Sequence, residues 1–145
     1  MGEENRDEKR EVLLNAIKKG ITEVEGLIGI AAEGLYKCAA DLRVEQSEEV
    51  FQNLSRGMKS LNAIVDFITH VDKGIDQLNE MGMSISKEPL KKWGESLNIF
   101  EDMLSAFESN DWVTVCDLIQ YEIDPLLKDG QQGLKELLFE LEKAG

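Results

Sequence analysis

Leu14, Ile21, Ile28, Leu35 and Leu42 recur every seven residues, and Ile17, Val24, Ala31 and Cys38 fall between them. Alternating four- and three-residue steps form the seam of a helix that packs against other helices along its length. They predict one long helix from about Asp7 to Leu42. A second seam runs through Leu54, Gly57, Leu61, Ile64, Ile68, Val71, Ile75 and Leu78, widened by Phe51, Met58 and Val65. Ser47 precedes it as an N-cap, and Glu48 and Glu49 favour the positive end of the helix dipole. A third stripe is shorter: Leu90, Trp93, Leu97, Phe100, Leu104 and Phe107. Ser86 or a neighbour caps it, and Pro89 falls in its first turn, where a missing N–H costs little.

ESND, residues 108–111, ends that stripe, and Asn110 or Asp111 can cap a fourth helix. The fourth stripe is Cys116, Ile119, Ile123, Leu126, Gly130, Gly133, Leu137 and Leu141, with Pro125 inside it. A proline in a helix interior removes a hydrogen bond and crowds the preceding turn, at a cost of roughly 3 kcal/mol. The stripe keeps its phase across Pro125, which predicts one helix bent there and softened by Gly130 and Gly133. The alternative is two shorter helices joined near Asp129 and Gly130. The connections RVEQS, EMGMSIS and ESND are short, which makes successive helices antiparallel neighbours. The expected fold class is all-α: an antiparallel up-down-up-down four-helix bundle with long helices, the fourth kinked at Pro125. Residues 1–145 form a single domain, with residues 1–7 as a flexible N-terminal tail.

Charge narrows the range of partners. The chain carries 16 basic and 29 acidic residues, a net charge of -13. Such a surface repels phosphate backbones and anionic lipid, which argues against nucleic acid and against membrane insertion. No apolar run approaches the ~20 residues of a spanning helix. The opening MGEENRDEKRE has no apolar core of a signal peptide, and Arg6 stands where a myristoylation signal wants Ser or Thr. A cytoplasmic location is expected. Cys38 and Cys116 lie on apolar stripes and read as reduced core thiols.

Catalytic constellations do not assemble. A di-iron bundle needs two Glu-x-x-His pairs, yet His70 is the one histidine, Phe67 stands three places before it, and the register puts His70 on an outer face. No glycine-flanked nucleophile and no Gly-Lys-Ser/Thr phosphate loop occurs. Glu122 and Asp124 flank the fourth stripe as a carboxylate pair, although Glu122 reads more simply as a stripe-edge residue. No catalytic residue, metal ligand or cofactor site is assigned, and the reading leans away from an enzyme.

Two surface features exceed what a bundle requires. Gly26 and Gly29 lie outside the first seam beside Ile30 and Tyr36, where small residues would let another helix approach. The plainer reading is that a neighbour within the chain covers them. Met81, Met83 and Ile85 are apolar residues in a connection, either a lid over the bundle's end or an adaptable binding surface.

The stretch DWVTVCDLIQYEIDPLL carries a resemblance through Asp111, Trp112, Asp117, Leu118, Ile119, Tyr121, Glu122, Ile123, Pro125 and Leu126. It resembles a C-terminal element of small uncharacterised bacterial helical-bundle proteins associated with motility and flagellar loci, and in general plan it is similar to export chaperones. The resemblance implies a chaperone-like bundle that holds a partner's helix, with no catalytic residue. The functional expectation is a non-enzymatic protein-interaction module, an adaptor or chaperone that binds an amphipathic helix of a partner or of its own copy. Candidate binding residues are Gly26, Gly29, Ile30, Tyr36, Met81, Met83 and Ile85. The alternative is a small-molecule-binding or catalytic bundle with a pocket near Tyr121, Glu122 and Pro125.

Overall fold

The structure, a computed structural model, describes residues 2–144, the side chains of residues 2–4 and 97 excepted. Every regular element among the described residues is helical. Two long helices come first, α1 (Gly2–Val44) and α2 (Glu48–Glu80). A shorter third stretch comprises a 3-10 turn (Glu88–Leu90), α3 (Lys91–Gly94) and α4 (Ser96–Glu108). The fourth runs from α5 (Trp112–Leu118) through a π-helical segment (Ile119–Ile123) into α6 (Asp124–Ala144).

The expected tail is helical from Gly2 onward. Arg6 donates to the Glu80 carbonyl at 3.0 Å, so this first turn is tied to the end of α2. All nine seam residues of α1, Leu14 to Leu42, are buried. Down the pair of long helices, Ile17 packs on Gly74, Phe67 lies over Gly20, Leu35 packs on Gly57, and the Cys38 thiol donates to the Val50 carbonyl. Residue numbers fall along α2 as they rise along α1. The fourth stretch meets α1 in the same sense: Gln131 donates to the Glu25 carbonyl at 2.9 Å, and Arg43 pairs with Asp117 at 2.6 Å.

The expected caps form at α2 and α5, whereas the third stretch begins after Lys87, whose side chain makes no cap hydrogen bond. Ser47 accepts the Val50 N–H at 3.2 Å, and Asp111 accepts from both the N–H and the hydroxyl of Thr114. α2 and α4 end alike. Gly82 (φ +99°) and Asn110 (φ +56°) take the left-handed conformation, and Met83 and Asp111 donate back to the carbonyls of Leu78 and Ala106. This is the Schellman ending, in which an apolar residue after the turn packs back on the helix.

Two local windings move the core pattern away from the expected stripes. At Glu95 the N–H reaches the Lys92 carbonyl three residues back, at 3.2 Å, and the Ser96 hydroxyl donates to the Trp93 carbonyl. A three-residue turn advances the helix by less than 3.6 residues, so the buried side arrives one residue early, at Ser96, Met103 and Ala106. Leu104 is consequently 52% exposed rather than in the core, and the Leu97 side chain lies outside the described residues. At the π segment the Asp124 N–H reaches Ile119, five residues back, and the phase slips the other way. All eight expected positions are buried, and the fully buried Leu127 and Leu134 join the core line beside Leu126 and Gly133. Leu126 is buried but stands outside the main core cluster.

Candidate functional site

The seam of α1 has a neighbour one residue behind it. Glu23, Leu27, Ile30, Gly34, Lys37 and Asp41 each precede a seam residue, which places them about 100° round the helix from the core. They form one wall and lip of a groove whose other wall is Asn53, Arg56, Gly57, Ser60, Ala63 and Phe67 of α2. Val24, Ala31, Leu35, Cys38 and Ile64 close its floor, and the space is ≈590 Å³.

The groove exists because its bordering side chains are small. A Cβ on Gly34 would meet nothing within 4 Å, and Ala63 adds a single methyl opposite. Gly57, by contrast, is filled from inside by Leu35, so α2 can lie close to α1 there. At the lip, Leu27 is 56% exposed and Ile30 is 71% exposed. Apolar side chains beside an apolar cleft are what a burying partner would cover. The four rim charges, Glu23, Lys37, Asp41 and Arg56, make no ion pair among the described residues, although Arg56 donates to Asn53 at 3.3 Å.

The residues expected on one binding face divide among several. Ile30 lies on the groove and Gly26 is exposed with open space around it. Gly29 instead faces Gln131 of α6, 3.7 Å from a Cβ placed there, and is partly covered by its own chain. Tyr36 is 48% exposed. In the connection after α2, Met81 is half-buried as the C-cap, and Met83 packs on the core as the Schellman residue. Ile85 is buried and clamped by Asn79, whose side chain accepts the Ile85 N–H at 2.7 Å and donates to its carbonyl at 3.0 Å. Lys87 then pins the loop to Asp76 at 2.9 Å and Asp72 at 3.6 Å. Ile85 is thus part of the core surface rather than of an exposed patch.

Tyr121, Glu122 and Pro125 are exposed, standing on an outer face while Ile119 and Ile123 fill the interior side of the same segment. None of the three lines the groove between α1 and α2. Both cysteines are free and buried. Burial pushes the Cys38 thiol up, with Asp41 and Cys116 adding to it, and burial likewise raises Cys116 against the opposing effect of Arg43. Protonated thiols of this kind are poor nucleophiles. His70 is exposed, with Nδ1 2.7 Å from the Asp66 carbonyl. Among the described residues no group of three or more His, Cys, Asp or Glu side chains could hold a metal, and no helix is long and apolar enough to cross a membrane.

Leu27, Gly34, Ala63 and Phe67 were not singled out in the sequence. The signal was present as the 3-4 spacing of Leu27, Ile30 and Gly34, but a stripe beside a strong seam reads as its widening.

Residues 19–133 match the model of the family described as Domain of unknown function (DUF8042), and the chain belongs to that family. No curated protein and no solved structure matches it.

Proposed function

We propose that this member of the DUF8042 family is a non-enzymatic interaction module, an adaptor or chaperone-like bundle that takes an amphipathic helix into the groove between α1 and α2. The helix belongs to a partner or to a second copy of the chain. The observation that carries this reading is the apolar cleft of ≈590 Å³ with Leu27 and Ile30 exposed on its lip. A helix laid in such a groove inserts residues spaced i, i+3, i+4 and i+7 between the walls. The long helices supply a rigid cradle, and the absence of side-chain bulk at Gly34 and Ala63 allows close approach.

In this reading the bundle is antiparallel, up-down-up-down, which is supported by the opposite run of contacting residue numbers along α1 and α2. The fourth helix bends at Pro125, a proposal supported by the π segment directly before it. The net charge of -13 favours a protein partner over nucleic acid or an anionic membrane, and the module works in the cytoplasm.

The test is affinity capture from native cells with wild-type protein and Gly34→Trp as parallel baits. The indole would occupy groove space, and a Cβ at Gly34 meets no neighbouring atom. A co-purifying chain, heterologous or an untagged copy, should be present with wild type and lost with the variant. The same captured set with both baits would remove the groove from the function.

A further inference from the structure

We infer that the occupant of the groove is α1 of a second copy, in a two-fold dimer that packs the two α1 helices antiparallel. This rests on the reading of the groove as a binding surface. The wall that lines the groove is also a ridge: Leu27 and Ile30 project from the same face that Gly34 leaves hollow. A surface carrying both ridge and hollow satisfies the self-complementarity that a two-fold interface demands.

The spacing fixes the register. Glu23, Leu27, Ile30, Gly34 and Lys37 alternate four- and three-residue steps, and antiparallel seams of this kind pair positions whose numbers have a constant sum. With the axis passing between Ile28 and Gly29, Leu27 meets Ile30 of the second copy, and the reverse contact repeats it. Glu23 then lies over the second copy's Gly34, one turn from its Lys37, and Lys37 reaches back to the second copy's Glu23. Two opposite-charge pairs therefore flank four apolar side chains, and Glu23 and Lys37, which form no ion pair among the described residues of one copy, pair across the two. Shifting the register by one heptad would place Glu23 on the second copy's Asp41, a like-charge contact.

The stripe from Gly20 to Asp41 is about 32 Å long and two adjacent helices are roughly 20 Å wide. The contact then covers roughly 650 Å² per copy, about 1,300 Å² in all, at the lower end of stable interfaces. A reversible dimer with a micromolar dissociation constant is expected.

Sedimentation equilibrium of the full chain over a wide concentration range tests this. Wild type should reach twice the monomer mass. Ile30→Glu and Gly34→Trp should weaken association by at least about tenfold while thermal unfolding monitored on dilute monomer is unchanged. Glu23→Lys should weaken it as well, although it reduces the net charge, and Glu23→Lys with Lys37→Glu should restore it. A dimer indifferent to these substitutions, or weakened singly but not restored by the double reversal, overturns the proposed register and contact. A wild-type monomer at every concentration overturns the second copy as occupant. In that event Gly34-dependent capture of a different chain would leave the groove's function standing, and loss of any Gly34-dependent capture would remove both.

Discussion

Glycines that look alike in the sequence do opposite things in the molecule. Gly26 sits in mid-helix with open space around it, so it exposes backbone and gives nothing in return. Gly26→Ala should stabilise the protein by about 0.5–1 kcal/mol, the ordinary helix-propensity difference. Gly133 instead has the Pro89 carbonyl oxygen packed against its Cα, where a Cβ would collide with it. That oxygen cannot rotate away as a side chain would, so Gly133→Ala should cost roughly 1–3 kcal/mol of stability. Chemical denaturation of the two variants checks both signs, and equal effects would contradict the packing described. Gly130 works with Gly133: the Trp93 ring lies over it, and the indole N–H donates to its carbonyl at 3.2 Å. The pair is the landing site of the third stretch.

At the level of elements, Pro125 is accommodated by the winding before it. An α-helical turn would have Pro125 donate to Tyr121, and proline has no N–H to give. The π segment routes the Asp124 N–H to Ile119, and Tyr121 lies on the exposed side, where water can take its carbonyl. Pro125→Ala should therefore raise stability by no more than about 1 kcal/mol, well short of the ~3 kcal/mol that an unrelieved interior proline costs. A gain near the larger figure in a denaturant titration would show that the segment relieves nothing. The same windings mark where sequence reading succeeds and fails. The seams of α1 and α2 were legible because their helices wind evenly, so every seam position from Leu14 to Leu42 is buried. The third stripe was legible only up to Glu95, where one tight turn shifts phase by a residue without changing composition. Every position of the fourth stripe is buried, and the wide turn after Ile119 adds Leu127 and Leu134 beside Leu126 and Gly133. Leu104 left the core and Leu127 joined it for that reason. The lid was half legible: the methionines showed an apolar connection, but the Asn79 clamp on Ile85 depends on tertiary placement. The groove was written in the sequence as a second 3-4 stripe, and it took α2's small residues opposite to make it a cleft.

For the whole molecule, a net charge of -13 sets the long-range term in any self-association. At about 0.01 M salt the screening length is near 30 Å and two copies repel across their full surfaces, whereas at 0.15 M it falls to about 8 Å. The dimer should therefore tighten as salt rises over that interval, before the flanking Glu23–Lys37 pairs are themselves screened. Weakening throughout the same range, measured by sedimentation, would mean that local pairs dominate and that the overall charge matters little. The central claim is that the α1–α2 groove is occupied when the protein works. The most direct test is the intact mass of the protein isolated under native conditions from its own cells, wild type beside Gly34→Trp. Wild type should be a species heavier than the 16.3 kDa chain, and the variant should return to the mass of a single chain. Wild type isolated at 16.3 kDa would contradict it.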